Sequence, residues 1–97
     1  MSALPPSAQA VTPALIESAL RAALNPVALE VIDESHHHAG HAGAGEGSHW
    51  RVRVVAGCMA GQSRVGRHRL VYDALRSVIP QGIHALAIEA RAPDEAG

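Results

Sequence analysis

The chain has 97 residues, with eight arginines, no lysine and nine acidic residues, so its formal charge at neutral pH is -1. This length allows one small domain and leaves no room for a second core. The near-neutral charge argues against a general binder of nucleic acid or membrane surfaces, because such proteins carry a basic excess. The single cysteine, Cys58, excludes an intramolecular disulfide and any zinc or iron–sulfur site made from this chain's thiolates alone.

The ends and composition of the chain narrow the class of protein further. The first ten residues lack the basic and apolar regions of a secretory signal, and no apolar run is long enough to span a bilayer. We therefore expect a cytoplasmic protein with no membrane partner. No acid–base pair, nucleophile–histidine arrangement or phosphate-binding loop stands out, so we expect no catalysis. Seven histidines are the unusual feature of the composition.

The N-terminal part of the chain predicts a lead-in, a helix and a strand. Residues 1–11 are small, polar and rich in proline, and we expect them to form a flexible lead-in. Thr12-Pro13 is typical of a helix start, and Asn25-Pro26 ends the apolar helical spacing that follows. Residues 27–33 alternate as in a strand whose buried face holds Val27, Leu29 and Val31.

The middle of the chain combines a long polar segment with the clearest strand. Residues 34–48 contain four glycines and four histidines, and they have no apolar residue larger than alanine. This composition predicts a loop, and loops of that length inside compact domains are often functional. Residues 49–56 then alternate strictly between apolar and other side chains, which predicts a strand.

The last third of the chain predicts a helix, a strand and a short tail. The helix runs from residue 65 or 67 to residue 78, before Pro80. The strand covers residues 83–90. We expect residues 92–97 to form a frayed C-terminal tail, so that the folded domain spans residues 12–91.

The order of these elements predicts an α+β fold of αββαβ arrangement, with a three-stranded mixed sheet backed by helices. The first two strands are consecutive and antiparallel, whereas the path through the second helix is long enough for a parallel crossover. The N-terminal ends of the second and third strands then share one edge of the sheet. We therefore expect residues 36–41 of the loop to lie near His84.

Several short motifs, taken together in this order and spacing, resemble the BolA family over roughly residues 14–93. They are Leu29-Glu-Val-Ile-Asp-Glu-Ser35, Ser48-His-Trp50, Gly61, Arg67-His-Arg-Leu-Val-Tyr72 and Ile83-His-Ala-Leu-Ala-Ile88. The resemblance implies a fold like the type II KH domain, in agreement with the element order. It also implies a protein that is a monomer alone and forms a heterodimer with a monothiol glutaredoxin.

The resemblance further implies that the two partners share a [2Fe-2S] cluster with glutathione, in iron–sulfur cluster trafficking or iron homeostasis. The family's cluster-liganding histidine corresponds to His84, and the family's second ligand, from the loop, corresponds to His38. The loop here is about two residues longer than is usual and lacks the common Asn-Val-Pro. His36, His37 and His41 are therefore rival ligands.

The residues themselves leave alternatives open for these histidines. In an extended segment, His36 and His38 point the same way and His37 points the opposite way. The loop histidines could also bind zinc or nickel without any partner. His84 could instead donate a hydrogen bond to a loop carbonyl at the start of its strand.

The second helix carries the remaining candidates. Arg67, His68 and Arg69 are partner-binding or structural residues, and His68 lies at the edge of the apolar stripe. Arg64, Arg67 and Arg69 could alternatively contact DNA phosphates, as expected of a transcriptional regulator with a KH-like fold. Against DNA binding, three residues separate Gly57 and Gly61, whereas the KH phosphate clamp has two.

Overall fold

The computed structural model describes residues 11–34 and 49–96. The described helices are α1 (Pro13–Leu24), α2 (Arg64–Ala74) and the short α3 (Pro93–Ala96). The described strands are β1 (Ala28–Asp33), β2 (His49–Val55) and β3 (Ala85–Arg91). Two single-turn 3-10 segments, Gly57–Met59 and Ile79–Gln81, lie on either side of α2.

The three strands form one sheet in the order β1-β2-β3. β1 pairs antiparallel with β2, and β2 pairs parallel with β3. The predicted α+β fold with a mixed sheet is therefore confirmed. Because β2 is central, β1 and β3 are both edge strands, and their outer backbone groups have no strand neighbour among the described residues.

The core lies between one face of the sheet and the helices α1 and α2. Central β2 contributes three buried side chains to this face, and α1 and α2 contribute the side chains opposite them. These fully buried residues are Trp50, Val52, Val54, Ile16, Leu20, Val71 and Leu75. The other face of the sheet carries the arginines of β2, because successive side chains of a strand point to opposite faces.

Local capping sets the ends of the two long helices. The Thr12 hydroxyl accepts a hydrogen bond from the Leu15 N–H at 3.2 Å, and Asn25, with a left-handed φ of 47°, closes α1. The Ser63 hydroxyl accepts from the Gly66 N–H at 3.0 Å and starts α2 one residue before the earlier of the predicted starts. Short-range hydrogen bonds therefore define both N-termini.

The second helix is shorter than predicted. α2 ends at Ala74 rather than at residue 78, and the chain continues in tighter turns, with the Val78 N–H donating to the Leu75 C=O at 2.9 Å. Pro80 disfavours helical geometry in the residue before it. Leu75 and Val78 are nevertheless buried, so the tighter turns keep the apolar stripe in the core.

Three predictions at element ends are wrong. Val27 is 70% exposed and lies before β1, so it is not on the buried face. Val11, which the composition places in the flexible lead-in, is 5% exposed and packs in the core. The tail that was expected to fray from residue 92 instead forms α3, with Ala92 buried.

Candidate functional site

His84 is an exposed histidine held between two fixed points of the backbone. The preceding residue, Ile83, is buried in the core, and its N–H donates to the Ile79 C=O at 3.1 Å. The following residue, Ala85, starts β3. The turn that precedes Ile83 includes Gly82, whose φ of 147° is accessible to glycine and rarely to other residues. His84 is therefore presented to solvent at the N-terminal end of β3.

The ends of the long loop lie at the same edge of the sheet. His49 at the start of β2 is in register with Ala85 at the start of β3. The Glu34 N–H donates to the His49 C=O at 2.8 Å, which joins the two ends of segment 35–48. We call the group formed by Glu34, His49 and His84 the histidine edge. The predicted placement of His84 beside the loop ends is confirmed by this register.

The loop histidines lie outside the described residues, so their predicted role as ligands stays a prediction. They are His36, His37, His38 and His41. Within the described residues, no group of three or more histidine, cysteine or acidic side chains could hold a metal ion. His84 therefore belongs to no such group of described side chains, and any metal centre here needs further ligands from the loop or from a partner.

Cys58 does not belong to the histidine edge. It lies just beyond the C-terminal end of β2, is exposed, and places its Sγ 4.0 Å from the Leu24 carbonyl oxygen. A strand of seven residues spans about 20 Å, which separates this thiol from His49 at the other end of β2. The described part of the chain therefore offers no thiolate near His84.

A row of charged side chains crosses the open face of the sheet below the histidine edge. Arg51 Nε lies 2.8 Å from Glu34 Oε2, and its Nη1 lies 2.9 Å from Glu89 Oε2. Arg53 pairs with Glu30 at 3.0 Å and with Glu89 at 3.3 Å. We call these five residues the charge ladder. The hydrogen bonds that the two arginines donate to the glutamates raise the pKa of both arginines.

Arg67, predicted to be a partner-binding, structural or DNA-contacting residue, is held inside the molecule. Its Nη1 and Nη2 lie 2.6 and 2.7 Å from the two Glu95 oxygens, and Nη1 also donates to the Ala90 C=O at 3.1 Å. Its Nε donates to the Gln62 C=O at 3.1 Å. This arrangement, which we call the arginine clamp, leaves the Arg67 side chain 15% exposed.

The arginine clamp strongly lowers the pKa of Glu95. Hydrogen bonds from Arg67, and then from the Ala92 N–H, lower the pKa of Glu95 from 4.5 to about 2. Sequence reasoning missed this residue. The signal was present, because Pro93 followed by Asp94 and Glu95 is a helix start with acidic residues in the first turn.

The other residues singled out on α2 lie in different places. Arg64 and His68 line a cleft of about 430 Å³ between α2 and β3, and Arg67 and Arg91 line it too. Arg69 is exposed and does not line this cleft. The structure therefore does not bring Arg64, Arg67 and Arg69 together as one free basic surface.

Comparison with known proteins gives one consistent result. A family model described as BolA-like protein matches residues 20–95. The chain is 51% identical over 84 residues to an uncharacterized protein in the cobS 5' region of a Sinorhizobium species, covering 82% of this chain and 89% of that protein. It is 42% identical over 73 residues to the DNA-binding transcriptional regulator BolA of Escherichia coli, covering 75% and 68%.

A solved structure agrees with these matches. The structure of BolA1 from Arabidopsis thaliana has a TM-score of 0.79 against this chain, with 35% identity, covering 92% of this chain and 99% of that one. Two curated Arabidopsis relatives are longer, and the chain spans 23% of one and 50% of the other. Both carry chloroplastic in their names, so the cytoplasmic location stays a prediction. No described helix is long and apolar enough to cross a membrane.

Proposed function

This chain belongs to the BolA family, and on that premise we propose that it is a non-catalytic adaptor for a monothiol glutaredoxin. The two proteins share a [2Fe-2S] cluster that is also bound by glutathione, in cluster maturation, trafficking or iron homeostasis. The observation that carries the proposal is the exposed His84, held at the sheet edge where both ends of the histidine-rich loop are joined.

The position of His84 suits a ligand shared between two proteins. Its side chain is exposed, whereas the backbone on both sides is fixed by a buried residue and by a strand. A ligand placed on such rigid elements loses little conformational entropy when a partner arrives. The partner can therefore approach His84 without any rearrangement of the core.

The second ligand proposed from this chain is His38. Glu34 is fixed at the histidine edge, and four residues of extended chain span at most about 14 Å. His36, two residues from Glu34, is limited to about 7 Å, and His41, seven residues away, to about 25 Å. Each of the three lies within reach of the edge, so the rival ligands have to be separated by substitution.

Two histidine ligands from this chain suit the chemistry of a [2Fe-2S] cluster. Iron of a [2Fe-2S] cluster accepts two histidines in place of two thiolates, which raises its reduction potential. The other iron needs two thiolates, and Cys58 lies at the far end of β2. The glutaredoxin cysteine and glutathione supply the two thiolates in this proposal, which is why a partner is needed.

The experiment is an anaerobic titration of this protein into glutaredoxin that carries a glutathione-bound [2Fe-2S] cluster, followed by visible circular dichroism. We expect a new spectrum that saturates at one-to-one. His84→Ala should abolish the new spectrum, and His38→Ala should weaken or alter it. Arg76→Ala is the control, because it removes an exposed polar side chain that lies outside the histidine edge and does not line the cleft between α2 and β3.

Two outcomes would contradict the proposal. The first is a spectrum that does not change during the titration. The second is an equal loss in His84→Ala and Arg76→Ala, which would show that the substitution of His84 acts through general stability. Substitutions of His36 and His41, measured in the same way, identify the loop ligand if His38→Ala has no effect.

DNA binding is the second candidate function. One observation favours it: Arg64 and Arg69 are exposed near the start of α2 and form no ion pair with any described residue, as phosphate-binding arginines require. The Escherichia coli relative is also named as a DNA-binding regulator. Affinity that falls steeply as salt is raised would indicate phosphate contacts, whereas the shared cluster depends on glutathione and iron.

A further inference from the structure

The cleft between α2 and β3 lies along the outer edge of β3. Four successive residues of the strand, 88–91, line it together with the first turns of α2. Successive side chains of a strand point to opposite faces, so a cleft lined by all four lies beside the strand and not over one face. β3 is an edge strand of the sheet, so this side of it has no strand neighbour among the described residues.

The backbone of β3 directs hydrogen-bonding groups into this cleft. The Arg91 C=O accepts from the Ala56 N–H at 3.0 Å, on the β2 side of the strand. Since the backbone groups of alternate residues in a strand point to opposite sides, Ile88 and Ala90 direct theirs outward. The bond from Arg67 Nη1 to the Ala90 C=O confirms this direction. The outward N–H and C=O of Ile88 pair with no described residue.

The charges around the cleft favour an anionic occupant. Arg64 is exposed on the α2 side and forms no ion pair with a described residue, and Arg91 lies on the β3 side. The Glu89 carboxylate, which also lines the cleft, is already held by Arg51 and Arg53. The arginines therefore leave an excess of positive charge beside unpaired strand backbone.

We propose that this cleft binds an extended acidic peptide of a partner protein, which adds as a strand to the outer edge of β3. The peptide backbone pairs with the outward groups of Ile88, and its carboxylates lie between Arg64 and Arg91. Strand addition to an exposed sheet edge is a common mode of peptide recognition. The proposal is independent of the shared cluster, because the cleft lies toward the opposite end of β3 from His84.

A peptide fits this cleft better than a single-stranded nucleic acid does. Proteins that bind single strands stack the bases on aromatic side chains. The residues that line the cleft include no tryptophan, tyrosine or phenylalanine, and Trp50 is buried in the core. The unpaired strand backbone, in contrast, matches a peptide directly.

The test uses the full chain and a short synthetic peptide in which valine and glutamate alternate, acetylated at its N-terminus. Amide shifts are followed by NMR, and affinity is followed by fluorescence anisotropy. We expect the largest amide shifts at Ile88 and Ala90. Arg64→Glu should weaken binding by about tenfold or more, because it reverses a charge that contacts the peptide. Arg21→Glu is the matched control on exposed α1 surface, and it should change affinity by less than about twofold.

A second ligand separates strand addition from charge attraction. The same peptide with alternate amides N-methylated keeps every carboxylate but loses the donors that pair with β3, and we expect it to bind about tenfold more weakly or worse. The proposal is overturned if the peptide does not bind, or if the N-methylated peptide binds equally well. Equal losses in Arg64→Glu and Arg21→Glu overturn it too, as does an oligothymidylate that shifts the same amides when the peptide does not.

Discussion

The two ends of β3 differ in whether their key polar side chain is exposed or hydrogen-bonded within the chain. At the N-terminal end, His84 is exposed, and the described residues around it form no metal centre of their own. At the C-terminal end, the Arg67 guanidinium donates hydrogen bonds to Glu95, the Ala90 C=O and the Gln62 C=O. The first end presents a histidine to solvent, whereas at the second end Arg67 and Glu95 are paired with each other within the chain.

This difference separates a functional group from a structural one more clearly than residue type does. Histidine and arginine are both common in binding sites, and both motifs were candidates from the sequence. The Arg67 side chain already donates to four acceptor oxygens on three residues, so a new ligand would have to break existing bonds. A ligand that binds His84 does not have to break such bonds. We therefore assign binding to the histidine edge and stability to the arginine clamp.

The largest expected effect comes from a core substitution that destabilises both ends of β3 together. Trp50 is fully buried and lies in register with Asp33 and Leu86, beneath the histidine edge. Trp50→Ala should lower the free energy of unfolding by about 3–5 kcal/mol, because it leaves a cavity in the core. Chemical denaturation measures this loss. Cluster sharing with glutaredoxin should fail in the same variant.

The control for this substitution is Val65→Ala on α2, where the side chain is 65% exposed. We expect it to change the free energy of unfolding by less than about 0.5 kcal/mol. If Trp50→Ala cost as little as the control, the two ends of β3 would not depend on one common core.

The sequence predicted best what depends on neighbouring residues. Thr12 and Asn25 cap α1 through bonds to residues three or four positions away, and both ends of that helix were predicted correctly. The edge that holds His84 was also predicted, because connection length decides whether strands run parallel. The predicted end of α2 at residue 78 was wrong, because proline and core packing together favour tighter turns after Ala74.

What the sequence did not predict depends on contacts between distant residues. The pair of Arg67 and Glu95 joins positions 28 residues apart, and it exists only because α3 folds back toward α2. The alternation in β2 placed Arg51 and Arg53 on one face, but their glutamate partners follow from the strand register. The cleft beside β3 likewise depends on how α2 packs, which no local pattern specifies.

The prediction of intermediate size concerns how the stability contributed by the arginine clamp depends on pH. The pKa of Glu95 is about 2 in the folded protein against an ordinary value of 4.5. Because the folded value is the lower one, the clamp stabilises the protein fully above pH 4.5 and loses this contribution as pH falls toward 2. The melting temperature of the wild type should therefore exceed that of Glu95→Gln at neutral pH, and the difference should shrink through this window.

Subtracting the Glu95→Gln curve removes the titration of the other carboxylates, including Glu89, which both proteins contain. Cluster sharing at neutral pH should be the same in both proteins, because the clamp lies at the other end of β3 from His84. A difference in melting temperature that stays constant down to pH 3 would show that Glu95 does not bind Arg67 as an anion.

The smallest effect asks whether the charge ladder supports the histidine edge. Arg51 and Arg53 each bind two glutamates, but only Arg51 contacts Glu34, the last described residue before the loop. All four ion pairs are partly exposed, and ion pairs of that kind contribute little to stability. Either substitution to alanine should therefore leave the melting temperature nearly unchanged. Arg51→Ala should weaken cluster sharing by about threefold, because Glu34 loses the bond that orients the loop base, whereas Arg53→Ala should not. Equal effects of the two variants in the glutaredoxin titration would mean that the ladder acts on the sheet as a whole and that the loop base is held by its backbone alone.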